Sequence, residues 1–311
     1  MAVYVNTNYS ALQGQRYLGN VQNQLTTTYQ RLSSGMRINS AKDDAAGLQI
    51  ADRLTSQING LNQGNRNASD GIALAQTAEA GMDEISGMLQ KIRTLAVQAA
   101  NGTNTADDKA ALSKEASALA NEITRIANQT TFAGKKILAG QQENTDTIFS
   151  KAATADKSKA GTITLQVGSN KGDTIAFQID NMKFSIASNR ADGNFKLDGQ
   201  NNAVVEIKNN NIAFLFSKAD ASLVISHMDK MIADVDGLRA NLGAIQNRLE
   251  SSIRNQSNVA ANEADARSRI RDADFAEESA NLSQQSIIQQ AAASMLMQAN
   301  TRPQLGLSLL G

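Results

Sequence analysis

A heptad repeat between Asp43 and Ala100 constrains the fold of this chain more than any other feature of its sequence. Apolar residues recur there at seven-residue intervals, at Leu54, Leu61, Ala68, Ala75, Met82, Leu89 and Ala96. This spacing predicts one long helix whose apolar seam packs along other helices. At 1.5 Å per residue such a helix would be roughly 85 Å long, so we expect a rod-like protein.

Glycines interrupt this predicted helix at positions 60, 64, 71, 81 and 87. Each glycine disfavours a helix by about 1 kcal/mol relative to alanine. Small residues also allow neighbouring helices to approach closely. We therefore expect a helix that is stable only when other helices pack against it.

The composition agrees with long helices and argues against several classes of function. The 311 residues include one proline and no cysteine, so helices are rarely interrupted and disulfides or cysteine-ligated metals are excluded. Thirty basic residues balance thirty acidic ones and aromatic residues make up 4%, which argues against nucleic-acid binding. The N-terminus and the rest of the chain lack long apolar runs, so we expect neither a Sec-type signal nor a membrane span.

An amphipathic helix is predicted before the long helix, over about residues 6–32. Its apolar stripe, which needs a partner surface, consists of Ala11, Leu18, Val21, Leu25 and Leu32. Residues 33–42 are rich in turn formers and predict a loop. Ser40 or Asp43 would cap the long helix that follows.

A helical hairpin is predicted after the heptad repeat. The pair Asn101-Gly102 predicts the end of the long helix, and Thr105 or Asp107 would cap a second helix. The connecting loop is short, so the two helices should lie antiparallel. Residues 130–140 then leave the helical pattern.

The middle of the chain, residues 141–220, has a different pattern. Heptads stop, and short alternating apolar runs predict strands. These runs are Ile163 to Val167, Ile175 to Ile179, Phe184 with Ile186, Val205 with Ile207, and Ile212 to Phe216. GSNKG between the first two runs is suited to a hairpin loop, so we expect a small antiparallel β insertion.

Helical periodicity returns near Ala221 and continues to about Ala266. Met228, Val235, Leu242 and Leu249 stand at seven-residue intervals in this second long helix. A last helix, capped by Asp274, is predicted from Phe275 to Asn300, with an apolar tail beyond it. The predicted fold is mainly α, with long antiparallel helical rods from the two arms, coiled-coil terminal helices and a small antiparallel β insertion.

Catalytic and metal-binding patterns are absent from the sequence. His227 is the only histidine, and it lies on the flank of a helical stripe, so we expect no metal site. The acidic pairs Asp43-Asp44 and Asp107-Asp108 begin helices, where carboxylates complement the helix dipole, and we interpret them as caps. The chain is therefore not expected to be an enzyme or to hold a cofactor.

Two basic clusters and one helix offer weaker alternatives. Gly134 and the two lysines after it resemble part of a phosphate loop, but Gln129 and Lys136 stand where a Walker A motif needs glycine and serine or threonine. Three arginines between 267 and 271 stand among the acidic residues Asp265, Asp272 and Asp274, which favours an ion-pair face or an intersubunit contact over phosphate binding. The last helix could lie on a membrane, although glutamine and serine rather than basic residues occupy its polar face.

Long segments of both arms resemble bacterial flagellins. Residues 23–84, which begin NQLTTTYQRLSSGMRINSAKDD, resemble the N-terminal region of that family. GLRANLGAIQNRLESSI, ARSRIRDADFAEESANLS and QANTRPQLGLSLLG resemble its C-terminal region, and Leu165 to Gly168 resembles its hairpin between the arms. The matching arms, 1–140 and 221–311, cover roughly three quarters of the chain.

The resemblance implies a structural subunit that self-assembles into the helical filament of the bacterial flagellum for swimming motility. Such a subunit is exported by the flagellar type III apparatus and lies outside the cell. Its partners are further copies of itself, an export chaperone, the filament cap and hook–filament junction proteins. The alternatives are a hook–filament junction protein with the same terminal architecture, and a catalytic insertion in residues 141–219, which contain no histidine or cysteine.

The resemblance also divides the chain into five segments. They are an N-terminal polymerisation helix and loop (1–42), an N-terminal helical rod (43–140), a small β-rich outer insertion (141–220), a C-terminal helical rod (221–270) and a C-terminal polymerisation helix (271–311). In the family the terminal helices pair on assembly, in agreement with amphipathic ends that fold on binding. The expected self-assembly residues are Leu18, Val21, Leu25, Leu32, Leu282, Ile288, Met295 and Leu296.

A second partner implied by the resemblance is the flagellin-sensing Toll-like receptor of animal hosts. The expected recognition residues are Gln90, Lys91, Arg93, Leu95 and Gln98, with Glu115 on the next helix. Lys91 stands where arginine is frequent in the family and Thr94 where glutamate is frequent. Because lysine lacks the planar guanidinium, we expect weakened recognition. The alternative is that these residues serve subunit contacts alone.

Overall fold

The computed structural model describes residues 7–140, 147–149, 160–191, 205–208, 211–216 and 221–308. The helices are α1 (Tyr9–Ser34), α2 (Ala45–Ala100), α3 (Ala106–Gln129), α4 (Phe184–Ala191), α5 (Ala221–Arg271) and α6 (Phe275–Ser308). The strands are β1 (Thr131–Phe132), β2 (Lys135–Lys136), β3 (Gly161–Gln166), β4 (Thr174–Ile179), β5 (Val205–Lys208) and β6 (Asn211–Phe214). Consecutive strands pair as three antiparallel hairpins. The predicted mainly helical fold with a small antiparallel insertion is confirmed.

The chain divides into two compact units. Unit 1 comprises Met1–Asn59 and Val259–Gly311, and unit 2 comprises Gly60–Asn258. In the part of the chain that the structure describes, every helix lacks an apolar segment of membrane-spanning length.

Unit 1 is built on the packing of α1 against α6. The two helices run antiparallel, since Asn8 lies beside Ala299 and Arg31 lies beside Glu278. The helix α1 ends at Gly35, which takes the left-handed conformation (φ 69°) that glycine adopts without strain. The carbonyl of Gly35 then accepts a hydrogen bond from Ala273 of the loop before α6, so the two loops are joined by backbone pairing.

Unit 2 has a large apolar core formed by α2, α3, α5 and the short elements of the middle segment, and a smaller cluster of Ala68, Val167 and Leu249. The predicted heptad residues of α2 in this unit are all buried, namely Leu61, Ala68, Ala75, Met82, Leu89 and Ala96. Those of α5 are buried as well, namely Met228, Val235, Leu242 and Leu249. The seams predicted from seven-residue spacing are therefore the faces that the core covers.

Glycines at positions 60, 64 and 71 of α2 leave room for the β3–β4 hairpin. A Cβ on Gly64 would overlap the carbonyl oxygen of Val167, and a Cβ on Gly60 would overlap Ser169. Both contacted residues belong to the turn that joins the two strands. At these two glycines the hairpin comes closest to α2, and at Gly71 a side chain of α5, Leu249, comes close as well.

A ladder of polar side chains on α3 binds the outer edge of β6. Oγ of Ser117 accepts from the N–H of Phe214 at 2.8 Å, and Oγ of Ser113 accepts from the N–H of Phe216 at 3.0 Å. Asn121 both accepts from and donates to the backbone of Ile212. The polar side chains recur every four residues of the helix, a rise of about 6 Å, and the N–H groups recur every two residues of the strand, a rise of about 6.7 Å. Because these spacings are similar, each of the three N–H groups finds an acceptor on α3.

The strand predictions for the middle segment are confirmed in part. The two alternating runs form the antiparallel hairpin β3–β4, with Ile163 opposite Phe177 and Leu165 opposite Ile175. The predicted strand at Phe184 and Ile186 is wrong: α4 covers these residues, and two apolar positions are too few to separate a period of two from a helical one. Other parts of the insertion, 141–146, 150–159, 192–204, 209–210 and 217–220, lie outside the described residues.

The predicted caps are confirmed for α3 and α6 but not for α2. Thr105 and Asp108 form a reciprocal capping box, and Oδ1 of Asp274 accepts from the N–H of Ala276 at 2.8 Å. At α2, Asp44 is the residue whose carboxylate accepts from the first turn, at the N–H of Gly47. The prediction of Ser40 or Asp43 is wrong because Asp43 instead accepts hydrogen bonds from the preceding turn.

The last helix continues beyond its predicted end at Asn300, through Pro303 to Ser308. A proline removes one N–H donor, here the donor to the carbonyl of Ala299. That carbonyl accepts from Asn8 instead, so it keeps a hydrogen-bond donor although the helix continues through the proline.

Candidate interaction surfaces

Most of the expected self-assembly residues lie in the α1–α6 helix pair of unit 1. Val21 and Leu25 are buried. Half-buried residues of the set are Leu18, Leu32, Leu282, Ile288 and Leu296. Met295 differs from the others because it is 71% exposed. One chain thus covers much of the predicted seam by itself and presents Met295 to solvent.

Exposed apolar side chains are concentrated on unit 1. Among the described residues, ten of the exposed large apolar side chains belong to unit 1 and two, Val97 and Leu223, belong to unit 2. The ten are Tyr9, Leu12, Tyr17, Tyr29, Ile50, Val259, Phe275, Ile287, Met295 and Met297. Apolar patches of this kind mark interaction surfaces in soluble proteins. The heptad analysis did not identify most of them, because it selects the buried seam and these residues lie beside it.

A shallow groove of about 610 Å³ lies between α1 and α6 within this surface. Gly14 and Tyr17 line it from α1, and Met295 and Gln298 line it from α6. The absent side chain of Gly14 leaves space into which Leu296 packs. The groove is mainly apolar with polar groups at its margin, which is the character of a protein-binding site.

Polar contacts also join α1 to α6. Nη1 of Arg31 lies 3.0 Å from Oε1 of Glu278, whose side chain is only 8% exposed. Oγ1 of Thr28 donates to Oε1 of Gln285 at 3.3 Å. No pattern in the sequence indicates these contacts, because charged and polar residues on an amphipathic helix are ordinarily exposed.

The expected receptor-recognition residues lie on α2 and α3 of unit 2. The exposed ones are Gln90, Lys91, Gln98 and Glu115, whereas Arg93 and Leu95 are half-buried. Leu95 packs against the core. Arg93 forms an ion pair with Asp229 of α5, which raises the pKa of the guanidinium above its ordinary value and holds the side chain in place. Sequence analysis missed Asp229, since the pair joins residues 136 positions apart.

His227 and one of the arginines between 267 and 271 form hydrogen bonds or ion pairs with side chains of their own unit. His227 is buried, and its Nε2 shares a hydrogen bond with Oγ of Ser188 at 2.8 Å. Of the arginines between 267 and 271, Arg269 bonds to Asp265 at 3.0 Å, as the ion-pair interpretation predicts. No cluster of histidine and acidic side chains suited to a metal ion occurs within the described ranges.

Two acidic residues at helix starts have pKa values below the ordinary value of 3.8. Hydrogen bonds from the backbone N–H groups of Ser40 and Asn39 lower the pKa of Asp43. Hydrogen bonds from the hydroxyl and the N–H of Thr105 lower the pKa of Asp108. Because these bonds favour the ionised carboxylates, both residues act as caps or turn acceptors rather than proton donors.

Comparisons with known proteins agree with the fold and its division into two arms. Residues 5–143 match the family model of the bacterial flagellin N-terminal helical region, and residues 225–310 match that of the C-terminal helical region. Flagellin A of Vibrio cholerae and Flagellin D of Vibrio anguillarum are each 36% identical to the chain, with both chains covered in full.

Two solved structures are similar to this chain. A putative flagellar hook-associated protein from Vibrio parahaemolyticus matches with a TM-score of 0.54 at 16% identity, over 74% of this chain and 100% of its own. Bacillus cereus flagellin is 27% identical, with a TM-score of 0.43 over 61% of this chain and 88% of its own.

Proposed function

Because the chain belongs to the bacterial flagellin family, we propose that it self-assembles into the helical filament of the bacterial flagellum and serves swimming motility. The family is one of structural proteins, so the chain is not an enzyme. The alternative of a catalytic insertion in residues 141–219 is therefore set aside.

The concentration of exposed apolar side chains on unit 1 is the observation that carries this proposal. Tyr17 and Met295, on opposite sides of the α1–α6 groove, are more than half exposed in the single chain. Fully burying one such side chain contributes about 1.5–3 kcal/mol. Contacts between copies that do not close into a ring then repeat as a helical polymer.

Self-assembly in this account uses two layers of apolar contact. Val21 and Leu25 hold α1 against α6 within one chain, and the exposed residues beside them contact further copies. The same proposal includes export by the flagellar type III apparatus and an extracellular location. Its partners are an export chaperone, the filament cap and hook–filament junction proteins. The five segments expected from the sequence remain the proposed division of the subunit.

The alternative of a hook–filament junction protein has weaker support. The likeness to the hook-associated protein, at 16% identity, is a likeness of fold. Relatives that cover the whole chain at 34–36% identity are flagellins. We therefore favour the filament subunit.

Sedimentation of the full chain with short polymer seeds, prepared by salting out, tests the proposal. Tyr17→Lys and Met295→Lys should each raise the critical concentration for polymerisation at least about tenfold, because each removes an apolar contact and adds a charge to the interface. Gln24→Lys adds the same charge to α1 at an exposed polar position and serves as the control. Polymerisation that is indifferent to both lysine substitutions would contradict the proposal.

We also propose that unit 2 binds the flagellin-sensing Toll-like receptor of animal hosts. The exposed side chains of Gln90, Lys91, Gln98 and Glu115 are accessible to such a partner. The ion pair with Asp229 restrains Arg93, so little side-chain entropy would be lost there on binding. Lys91 offers a single charged group in place of the planar fork of arginine, which accounts for the weakened affinity that we expect.

Binding of the monomer to the purified receptor ectodomain tests this proposal. Leu95→Ala and Glu115→Ala should lower the affinity, whereas Leu223→Ala, at an exposed leucine elsewhere in unit 2, should leave it unchanged. Lys91→Arg should raise the affinity. If all four variants and the unchanged chain bind the receptor equally well, the proposal is refuted. These residues would then serve subunit contacts alone.

A further inference from the structure

A proline inside α6 leaves one backbone carbonyl of that helix without its usual donor. Pro303 lies within α6 and has no N–H, so it cannot donate to the carbonyl of Ala299, four residues earlier. Asn8 donates to that carbonyl instead, with 2.7 Å between its Nδ2 and the oxygen. The open group of α6 is thus satisfied by the residue that precedes α1.

The same side chain caps α1. Oδ1 of Asn8 accepts from the N–H of Ala11 at 3.1 Å, which satisfies one of the donors that the first turn of a helix leaves open. A carboxamide carries an acceptor and a donor on one planar group. An aspartate could accept but not donate, and a serine hydroxyl has a shorter reach. Asn8 therefore joins unpaired backbone groups of two different helices.

We propose that Asn8 is a positioning residue that fixes the axial register of α1 against α6, and that Pro303 creates the carbonyl site that Asn8 recognises. Apolar seams with a seven-residue period can re-pair after a slip of one heptad, about 10 Å, with little loss of apolar contact. A polar group that has one specific partner loses it on such a slip. Polar contacts therefore specify the register more sharply than the apolar seam does.

Contacts at the far end of the helix pair specify the same register. Arg31 reaches Glu278, and Thr28 reaches Gln285. The Asn8 contact lies at the opposite end of α1 from these two. With both ends held, the antiparallel pair has one alignment in which all three polar contacts form.

The register decides which residues form the groove between α1 and α6. Gly14 receives Leu296 only in this alignment, and Tyr17 and Met295 then line the same groove. Use of that groove by a second copy rests on the proposed function. The register itself is a property of one chain and can be tested without a polymer.

Introduced cysteine pairs can report the register, because the chain has no cysteine of its own. A side chain at position 14 places its Cβ 3.9 Å from that of Leu296, which suits a disulfide. Gly14→Cys with Leu296→Cys therefore reports the native register. Gly14→Cys with Gln289→Cys, one heptad away, reports a slipped one.

Both cysteine pairs are placed in the full chain, alone and together with Asn8→Ser, and disulfide yields are measured under mild oxidation. Serine retains a cap for α1, so the helix forms and circular dichroism can check it. The ratio of native to slipped disulfide should fall about fivefold, as expected for one lost hydrogen bond. Asn23→Ser makes the same change on the exposed face of α1 and should leave the ratio unchanged.

Pro303→Ala tests the cause. Alanine restores the N–H, so the Ala299 carbonyl bonds within α6 and no longer needs Asn8. The native ratio should fall in this variant as well, and adding Asn8→Ser should then have no further effect. The proposal would be overturned if Asn8→Ser left the ratio of native to slipped disulfide unchanged, or lowered it equally with Pro303 and with Pro303→Ala. It would also be overturned if the native cysteine pair formed no disulfide in the otherwise unchanged chain.

Polymerisation of the chain without introduced cysteines, unchanged and with Asn8→Ser, separates this inference from the proposed function, because Gly14 and Leu296 belong to the proposed assembly surface. If the native disulfide forms in the cysteine variant but the unchanged chain never polymerises, the filament proposal alone is contradicted. A chain that polymerises while its disulfide ratio ignores Asn8→Ser contradicts the register proposal alone.

Discussion

Replacing Gly64 of α2 by alanine should destabilise unit 2, although alanine is the better helix former. A Cβ at this position overlaps the carbonyl oxygen of Val167 in the β3–β4 turn. Gln256 donates to the same carbonyl from α5, so the turn is held from two sides. Because the obstructing atom belongs to the backbone, the whole hairpin must move to make room.

The magnitude follows from three contributions. Alanine gains about 1 kcal/mol of helix propensity over glycine. Overpacking against backbone costs about 1–3 kcal/mol. Displacing the carbonyl of Val167 weakens its hydrogen bond from Gln256, at a cost of about 1 kcal/mol. The net expectation for Gly64→Ala is a loss of about 2 kcal/mol in the free energy of unfolding.

Gly87→Ala is the matched control. Gly87 lies in the same helix, and no atom lies within 4 Å of the position that its Cβ would take. Only the propensity contribution remains, so this variant should be more stable by about 1 kcal/mol. The two glycine-to-alanine changes therefore have opposite expected signs.

Urea unfolding followed by far-ultraviolet circular dichroism measures both variants. Tyrosine fluorescence is unsuitable, because all four tyrosines lie within the first 29 residues, in unit 1, and tryptophan is absent. The midpoint should fall for Gly64→Ala and rise for Gly87→Ala. A rise for both would refute the steric argument and leave helix propensity as the governing effect.

Three further predictions concern polar contacts. Ser117→Ala removes the acceptor of the Phe214 N–H and should lower the unfolding free energy of unit 2 by about 1–3 kcal/mol in the same assay; an unchanged midpoint would show that the α3 ladder contributes nothing. Arg31→Ala leaves Glu278 without its ion-pair partner and should speed hydrogen exchange in α1 and α6, whereas unaltered exchange would contradict that contact. The pKa of Asp108 is lowered in the folded chain, so its stabilisation of α3 is present above pH 3.8 and lost as the pH falls through the folded value; Asp108→Asn should abolish this acid dependence of exchange in the first turn of α3.

The parts of the fold that repeat along the sequence could be predicted from it. Leu89 and Leu242 were identified by seven-residue spacing and are buried, because periodicity reports directly which face of a helix a core covers. The partner of Gly64 could not be predicted, since it is a turn about a hundred residues later in the chain. Phe184 belonged to an alternating run too short to distinguish a strand from α4.

The candidate surfaces were predicted less completely, for a related reason. Val21 and Leu25 follow from periodicity and form part of the helix pair. Tyr17 lies outside the predicted seam and is exposed beside α6, which the periodicity of α1 alone does not indicate. No sequence pattern indicated a role for Asn8, because its contact with the Ala299 carbonyl depends on a proline that lies 295 positions further along the chain.

An electron cryo-microscopy reconstruction of the polymer formed by the full chain would show whether copies meet through unit 1. We expect a helical assembly in which Tyr17 and Met295 are buried against neighbouring copies and α1 stays paired with α6. A polymer that leaves both side chains in solvent, or a folded chain that forms no polymer with any seed, would contradict this expectation.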